Sequence, residues 1–182
     1  DYACDVWVNG TPVGNHRGGY LPFTFDISAA LKDGENELVV AVWDPTDTCM
    51  QQRGKQVLYP RGIWYTPISG IWQTVWLEEV PAVSIASLKL TPDLDTCSVT
   101  VEIALRGATE GETYQMEAEA SFAGQIITSA TGEAGIPLRF SIADPQLWNP
   151  AHPNLYDLKV RLIHAGQVVD DVGSYFAMRK FE

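Results

Sequence analysis

Apolar and polar residues alternate with a period of two along most of this chain, and no other feature constrains the fold as strongly. Cys4, Val6 and Val8 alternate with Asp5, Trp7 and Asn9, and Tyr114, Met116, Ala118 and Ala120 alternate with Gln115, Glu117, Glu119 and Ser121. Successive side chains of a strand point to opposite faces, so each run is expected to form a sheet with one buried face. Hydrophobic residues make up 46% of the 182 residues, enough to fill a core. No apolar run approaches the roughly 20 residues of a membrane helix, and no charged-then-apolar leader opens the chain.

Charge narrows the partners. Lys and Arg number 12 against 23 Asp and Glu, a formal net charge of −11. Such a chain repels phosphate backbones, which argues against nucleic acid. The cysteines Cys4, Cys49 and Cys97 are odd in number and widely spaced, unlike a disulfide framework or a zinc ribbon. His16, His152 and His164 lack ligand spacing. Neither a metal nor a cofactor is expected.

The first half shows few strands. Cys4–Val8 is followed by Asn9-Gly10, a hairpin signal, with a return strand over 11–14. Further strands are expected over Tyr20–Asp26, Glu37–Trp43 and Gln73–Glu79, with a helical turn or two over Asp26–Lys32 capped by Ser28 or Asp26. Residues 44–71 read as a long loop rich in Pro, Gly and Gln, and such loops are usually functional or wrapped against a partner. Val80-Pro81-Ala82 reads as a linker, which divides the chain at 1–80 and 81–182. The second half carries runs over Ile85–Leu90, Cys97–Arg106, Tyr114–Ser121, Gln125–Ala130, Leu138–Ala143, Leu155–His164, Gln167–Val172 and Tyr175–Met178. About seven or eight short strands in about 100 residues is the pattern of an immunoglobulin-like sandwich, here without Cys–Trp–Cys spacing. The fold class expected is all-β with very little helix. About five strands are few for a closed first sandwich, so either strands lie upstream or another chain pairs with it. A dimer or larger assembly is the expectation.

Several motifs fall in a familiar order. Asp5-Val6-Trp7-Val8-Asn9-Gly10 leads to Gly18-Gly19-Tyr20-Leu21-Pro22-Phe23-Thr24-Phe25-Asp26-Ile27, then Gly34-Glu35-Asn36-Glu37-Leu38 and Arg53-Gly54-Lys55-Gln56. Gly62-Ile63-Trp64-Tyr65-Thr66-Pro67 and Ser69-Gly70-Ile71-Trp72-Gln73-Thr74-Val75-Trp76-Leu77-Glu78 follow. Later come Leu147-Trp148-Asn149-Pro150, Pro153-Asn154-Leu155-Tyr156-Asp157-Leu158 and Tyr175-Phe176-Ala177-Met178-Arg179-Lys180. Over nearly its whole length the chain resembles the accessory N-terminal region of glycoside hydrolase family 2, the β-galactosidase, β-glucuronidase and β-mannosidase family. The resemblance implies the back part of a jelly-roll sugar-binding domain (1–80) and then an immunoglobulin-like domain (81–182). A catalytic TIM barrel would follow outside this sequence. The chain starts without Met, and the motifs favour a fragment. The implied parent reaction is retaining hydrolysis of a terminal β-linked sugar. β-Galactosidase is the leading expectation from family frequency, in a bacterial cytoplasm or periplasm.

The family's two catalytic glutamates belong to that barrel, so no Glu here inherits their role. Asn36-Glu37 matches an acid/base dipeptide only superficially, because it lies in a turn leading into a strand. Retaining glycosidases need two carboxyls about 5–5.5 Å apart, and nothing in the sequence marks such a pair. The loop after Trp43 holds the candidate site. Asp44, Asp47, Trp64, Tyr65 and Trp72 are candidate sugar-binding residues, since sugars are held by an aromatic face plus carboxylates and amides. The resemblance implies that an acidic residue of this loop reaches the barrel's sugar, and Asp44 or Asp47 takes that place. The same aromatics equally suit a core or domain interface, and Asp44 a turn before Pro45. Arg53, Lys55, Gln56 and Arg61 are expected to dock an acidic neighbouring domain or shape the loop. A free-standing carbohydrate-binding module or a structural interaction module is the alternative. Asn9-Gly10-Thr11 fits an N-glycosylation acceptor but reads as a coincidence in a hairpin turn.

Overall fold

The Asn9-Gly10 turn sets the geometry of the first unit. In the computed structural model, which describes residues 1–180, φ is 51° at Asn9 and 78° at Gly10, the left-handed pair that a tight hairpin needs. It joins β1 (Ala3–Val8) to β2 (Thr11–Arg17), and β3 (Leu38–Trp43) pairs antiparallel with the other side of β1. The Asn9 side chain ties this hairpin to the next turn. Its amide donates to the Ala30 carbonyl (2.8 Å) and to Asn36 Oδ1 (2.7 Å), and its Oδ1 accepts the Glu37 N–H at 3.0 Å. Asn36 in turn accepts the Lys32 N–H on its Oδ1 and donates its side-chain amide to the Lys32 carbonyl, each at 2.9 Å. Both asparagines are therefore turn devices, as Asn36-Glu37 and Asn9-Gly10-Thr11 were read from sequence.

Cys4, Val6 and Val8 of β1 are buried. Phe25 lies over Gly14 so closely that a Cβ built there would stand 2.3 Å from the ring, and Phe23 stacks on His16 at 4.4 Å. These contacts explain why Tyr20–Asp26 is not the strand its alternation suggests. The segment lays its rings on the β2 side of the sheet and joins no ladder. The expected helical turn is a three-residue 3-10 turn, Ser28–Ala30, entered where the Ser28 N–H donates to Asp26 Oδ1 at 2.9 Å. Gln73–Glu79 also forms no strand, despite its period of two. No sheet among the described residues includes this segment, and Val75 and Leu77 stand 63% and 75% exposed.

The two edges of the β2–β1–β3 sheet differ. The β2 edge carries Pro12, a bulge opposite Val6 and Trp7, and the charge of Arg17, all features that discourage further pairing. The β3 edge reads Leu-Val-Val-Ala-Val-Trp without charge, proline or bulge, and Leu38 and Trp43 are 56% and 53% exposed.

Contact density divides the chain into two compact units, Asp1–Leu77 and the remainder from Glu78. The second unit is a sandwich of two antiparallel sheets. One has the order β12–β11–β6–β7, from β6 (Gln115–Phe122), β7 (Gln125–Glu133), β11 (Tyr156–His164) and β12 (Gln167–Phe176). The other has the order β4–β5–β8, from β4 (Ser84–Asp93), β5 (Ser98–Arg106) and β8 (Leu138–Ser141). Two short strands, β9 (Trp148–Asn149) and β10 (His152–Pro153), pair antiparallel between β8 and β11.

The core follows the alternation directly. Val99, Val101 and Ile103 of β5 share one cluster with Met116, Ala118 and Ala120 of β6, and with Leu158, Val160 and Leu162 of β11. Where an antibody domain places a disulfide, this sandwich uses rings. Tyr156 stacks on Phe176 at 5.0 Å and touches Phe122 at 4.9 Å. The three cysteines are free. The β4–β5 turn is knotted by Asp93, whose Oδ2 accepts the Thr96 hydroxyl at 2.6 Å. That bond chiefly holds the Asp93 carboxyl below the ordinary aspartate range, helped by the Thr96 and Asp95 N–H groups and by Arg139.

Candidate functional site

The segment after β3 is long, yet its own side chains hold it in shape. Asp44 Oδ1 accepts the Thr46 N–H (2.9 Å) and its Oδ2 accepts the Ser69 hydroxyl (3.0 Å), so one carboxylate clips both ends of the loop. Asp47 Oδ1 accepts the Leu58 N–H at 3.2 Å, and Gln56 Oε1 accepts the Ile68 N–H at 2.7 Å. Gln56 and Tyr65 pair in a parallel bridge, with the Tyr65 N–H on the Lys55 carbonyl at 2.8 Å. A run poor in regular structure becomes ordered because aspartate and glutamine oxygens satisfy its backbone donors.

Thr46 is the unusual backbone position. It is buried with φ at 50°, a left-handed conformation that costs a β-branched residue of order 1–3 kcal/mol. Gln51 donates to its carbonyl, and the Gln51 Oε1 is buried without a partner among the described residues. Strain of this kind persists only where the surroundings fix it, and it often marks functional ground.

The loop walls a cleft of about 400 Å³ within the first unit. Asp44, Arg53, Gln56 and Trp72 line it, together with Tyr20 and Thr46. Trp72 donates its indole N–H to the Gly19 carbonyl at 2.7 Å and meets Tyr20 edge-on at 6.1 Å. Both rings are exposed, so their faces are open to a ligand. Arg53 lies 6.0 Å from the Trp64 ring centre, a cation–π approach.

The structure thus brings together Asp44, Trp72, Arg53 and Gln56 from the sequence-based set. Asp47, Trp64, Tyr65, Lys55 and Arg61 do not line the cleft. Asp47 pins the loop, Trp64 backs Arg53, Tyr65 serves the bridge, and Lys55 and Arg61 are exposed. Sequence reasoning missed Tyr20 and Thr46. Tyr20 carried a signal in its Gly18-Gly19 prefix, and Thr46 carried none. Among the described residues no group of three or more His, Cys, Asp or Glu is placed to hold a metal.

The family model for the sugar binding domain of glycosyl hydrolases family 2 matches residues 1–81, and the family 2 model matches residues 83–179. The chain belongs to glycosyl hydrolases family 2. It is 31% identical over 98% of its length to a Formosa agariphila protein provisionally named a β-glucuronidase, and it covers 22% of that protein. It is 30% identical over 91% of its length to a β-galactosidase of Thermoanaerobacter pseudethanolicus, covering 23% of it. A β-glycosidase structure from Bacteroides vulgatus shares the fold, with a TM-score of 0.77, 24% identity, and coverage of 98% of this chain and 22% of that one. The chain therefore spans about a fifth of the length of these relatives, and it matches their accessory sugar-binding and immunoglobulin-like region.

Proposed function

We propose that this chain is the non-catalytic accessory region of a retaining family 2 β-glycosidase, acting on a terminal β-linked sugar, with β-galactosides as the first substrate class to test. The observation that carries the reading is the cleft itself, where exposed Trp72 and Tyr20 faces stand beside Asp44, Arg53 and Gln56. Aromatic faces accept the C–H side of a sugar ring while carboxylates, amides and guanidinium groups meet its hydroxyls. The loop that forms this cleft is the part of the chain that contacts carbohydrate. The bare β3 edge and the exposed Val75 and Leu77 support a first unit completed by polypeptide outside this sequence. A catalytic barrel in the same polypeptide is the partner this reading names, with Lys55 and Arg61 as exposed docking charges.

The purified 182-residue chain is expected to show no hydrolysis of chromogenic β-galactosides or β-glucuronides above background. Turnover that disappears when one of its own glutamates is changed to Gln would overturn the non-catalytic reading. A free-standing binding module is the second reading, favoured by the same cleft. It predicts micromolar-to-millimolar sugar binding by the isolated chain, lost in Trp72→Ala.

A further inference from the structure

We propose that Asn9-Gly10 is a latent deamidation site: the turn network holds it shut while the first unit is folded, and its conversion after an opening keeps the unit from closing as before.

Asn9 is the one asparagine of the 182 residues that precedes a glycine; Asn15, Asn36, Asn149 and Asn154 precede His, Glu, Pro and Leu. In deamidation the backbone nitrogen of the following residue attacks the side-chain carbonyl carbon of the asparagine. A C–N bond forms, the bond to the side-chain nitrogen breaks, and ammonia leaves with the proton given up by the attacking nitrogen. Water then opens the resulting succinimide at either carbonyl, which leaves aspartate or isoaspartate. Gly10 offers the attacking nitrogen with little hindrance. It is exposed, nothing lies within 4 Å of where a Cβ would stand, and its N–H donates to no group among the described residues.

The folded unit withholds the other partner. The Asn9 Nδ2 donates to the Ala30 carbonyl and to Asn36 Oδ1, and its Oδ1 accepts the Glu37 N–H. The Asn9 N–H also donates to the Glu37 carbonyl at 2.9 Å. Three side-chain bonds fix the plane of the amide, and it cannot turn its carbon onto the Gly10 nitrogen until they break.

The product does not fit the same network. A carboxylate at position 9 has no N–H to give, so its oxygens would face the Ala30 carbonyl and Asn36 Oδ1, both acceptors. Asn36 cannot answer by turning its own amide over. Its Oδ1 accepts the Lys32 N–H, and its Nδ2 donates to the Lys32 and Gly34 carbonyls at 2.9 and 3.0 Å. A flip would set its oxygen against two carbonyls and its N–H groups against another N–H. Isoaspartate adds a methylene to the main chain as well, inside a two-residue turn next to Val8, which pairs with Thr11 on one side and Leu38 on the other.

The test incubates the 182-residue chain at neutral pH, folded and in concentrated guanidinium chloride, and follows asparagine, aspartate and isoaspartate at position 9 by peptide mass spectrometry. Tryptophan fluorescence of the same samples reports the state of the first unit, since Trp7 and Trp43 lie in β1 and β3. Conversion is expected to be at least about tenfold slower in the folded chain, because three hydrogen bonds must break before the amide can turn. Asn36→Ala should speed conversion in the folded chain several-fold. Asn9→Asp, which carries the product's carboxylate from the start, should lower the urea midpoint read by fluorescence. Equal conversion in folded and denatured chains, no acceleration in a folded Asn36→Ala variant, or an unchanged midpoint in Asn9→Asp would overturn the proposal. If Asn36→Ala does not fold, the ratio of folded to denatured rates and the Asn9→Asp midpoint decide it. A parent chain without a cooperative fluorescence transition has no closed turn network, and that result also overturns it.

Discussion

Gly107→Ala is expected to cost the second unit more than about 3 kcal/mol, a large part of the about 5–15 kcal/mol that holds a domain folded. Two effects combine at this position. Gly107 has φ at 69°, which an alanine adopts at a cost of about 1–2 kcal/mol. A Cβ there would also stand 1.9 Å from the Ala82 carbonyl oxygen, which is backbone and has no rotamer to escape into. Relief requires moving the entry to β4, where Ser84 pairs with Arg106. Gly124→Ala is the control. Its φ is 78° and nothing lies within 4 Å of the added methyl, so it carries the conformational cost alone. Urea denaturation of the two variants should show a loss about twofold or more greater for Gly107→Ala. Equal losses would mean that the Ala82 carbonyl yields freely and that the close approach is not a constraint.

Tyr156→Ala should be comparably severe, at about 3–5 kcal/mol for loss of a buried ring. Tyr156 is 2% exposed, stacks on Phe176 within 5° of parallel, and accepts the Gln146 N–H on its hydroxyl at 2.6 Å. Tyr156→Phe separates the ring from the hydroxyl. It should cost about 1–2 kcal/mol, the penalty for leaving the Gln146 donor without its partner. Thermal melts of the two variants check this order, and a Phe variant as unstable as the Ala variant would contradict a core built on ring stacking.

The parts of the fold that were legible in the sequence are those where alternation and pairing agree. β5, β6 and β11 alternate cleanly, β6 and β11 pair in one sheet while β5 belongs to the other, and all three bury the expected side chains in one core. Tyr20–Asp26 and Gln73–Glu79 alternate just as well and form no strand, because period two reports a surface that can be half-buried and says nothing of whether a neighbour is present. The sequence shows separate runs over Gln167–Val172 and Tyr175–Met178, whereas β12 continues through Gly173 opposite Lys159.

The candidate site was legible by residue type and not by arrangement. Asp44 and Trp72 stand out as a carboxylate and an exposed ring in one loop, and both line the cleft. Nothing in the sequence says that Asp44 clips Ser69 to Thr46, that Tyr65 is held in a bridge, or that Thr46 is left-handed. Those facts depend on how the loop folds back on itself.

The central claim is that this region serves a larger glycosidase, and the denaturing mass of the protein as its source organism makes it tests that claim most directly. The account predicts a mass several-fold above the 20.1 kDa of this chain. A mass near 20.1 kDa would contradict it and make a self-standing binding module the better description.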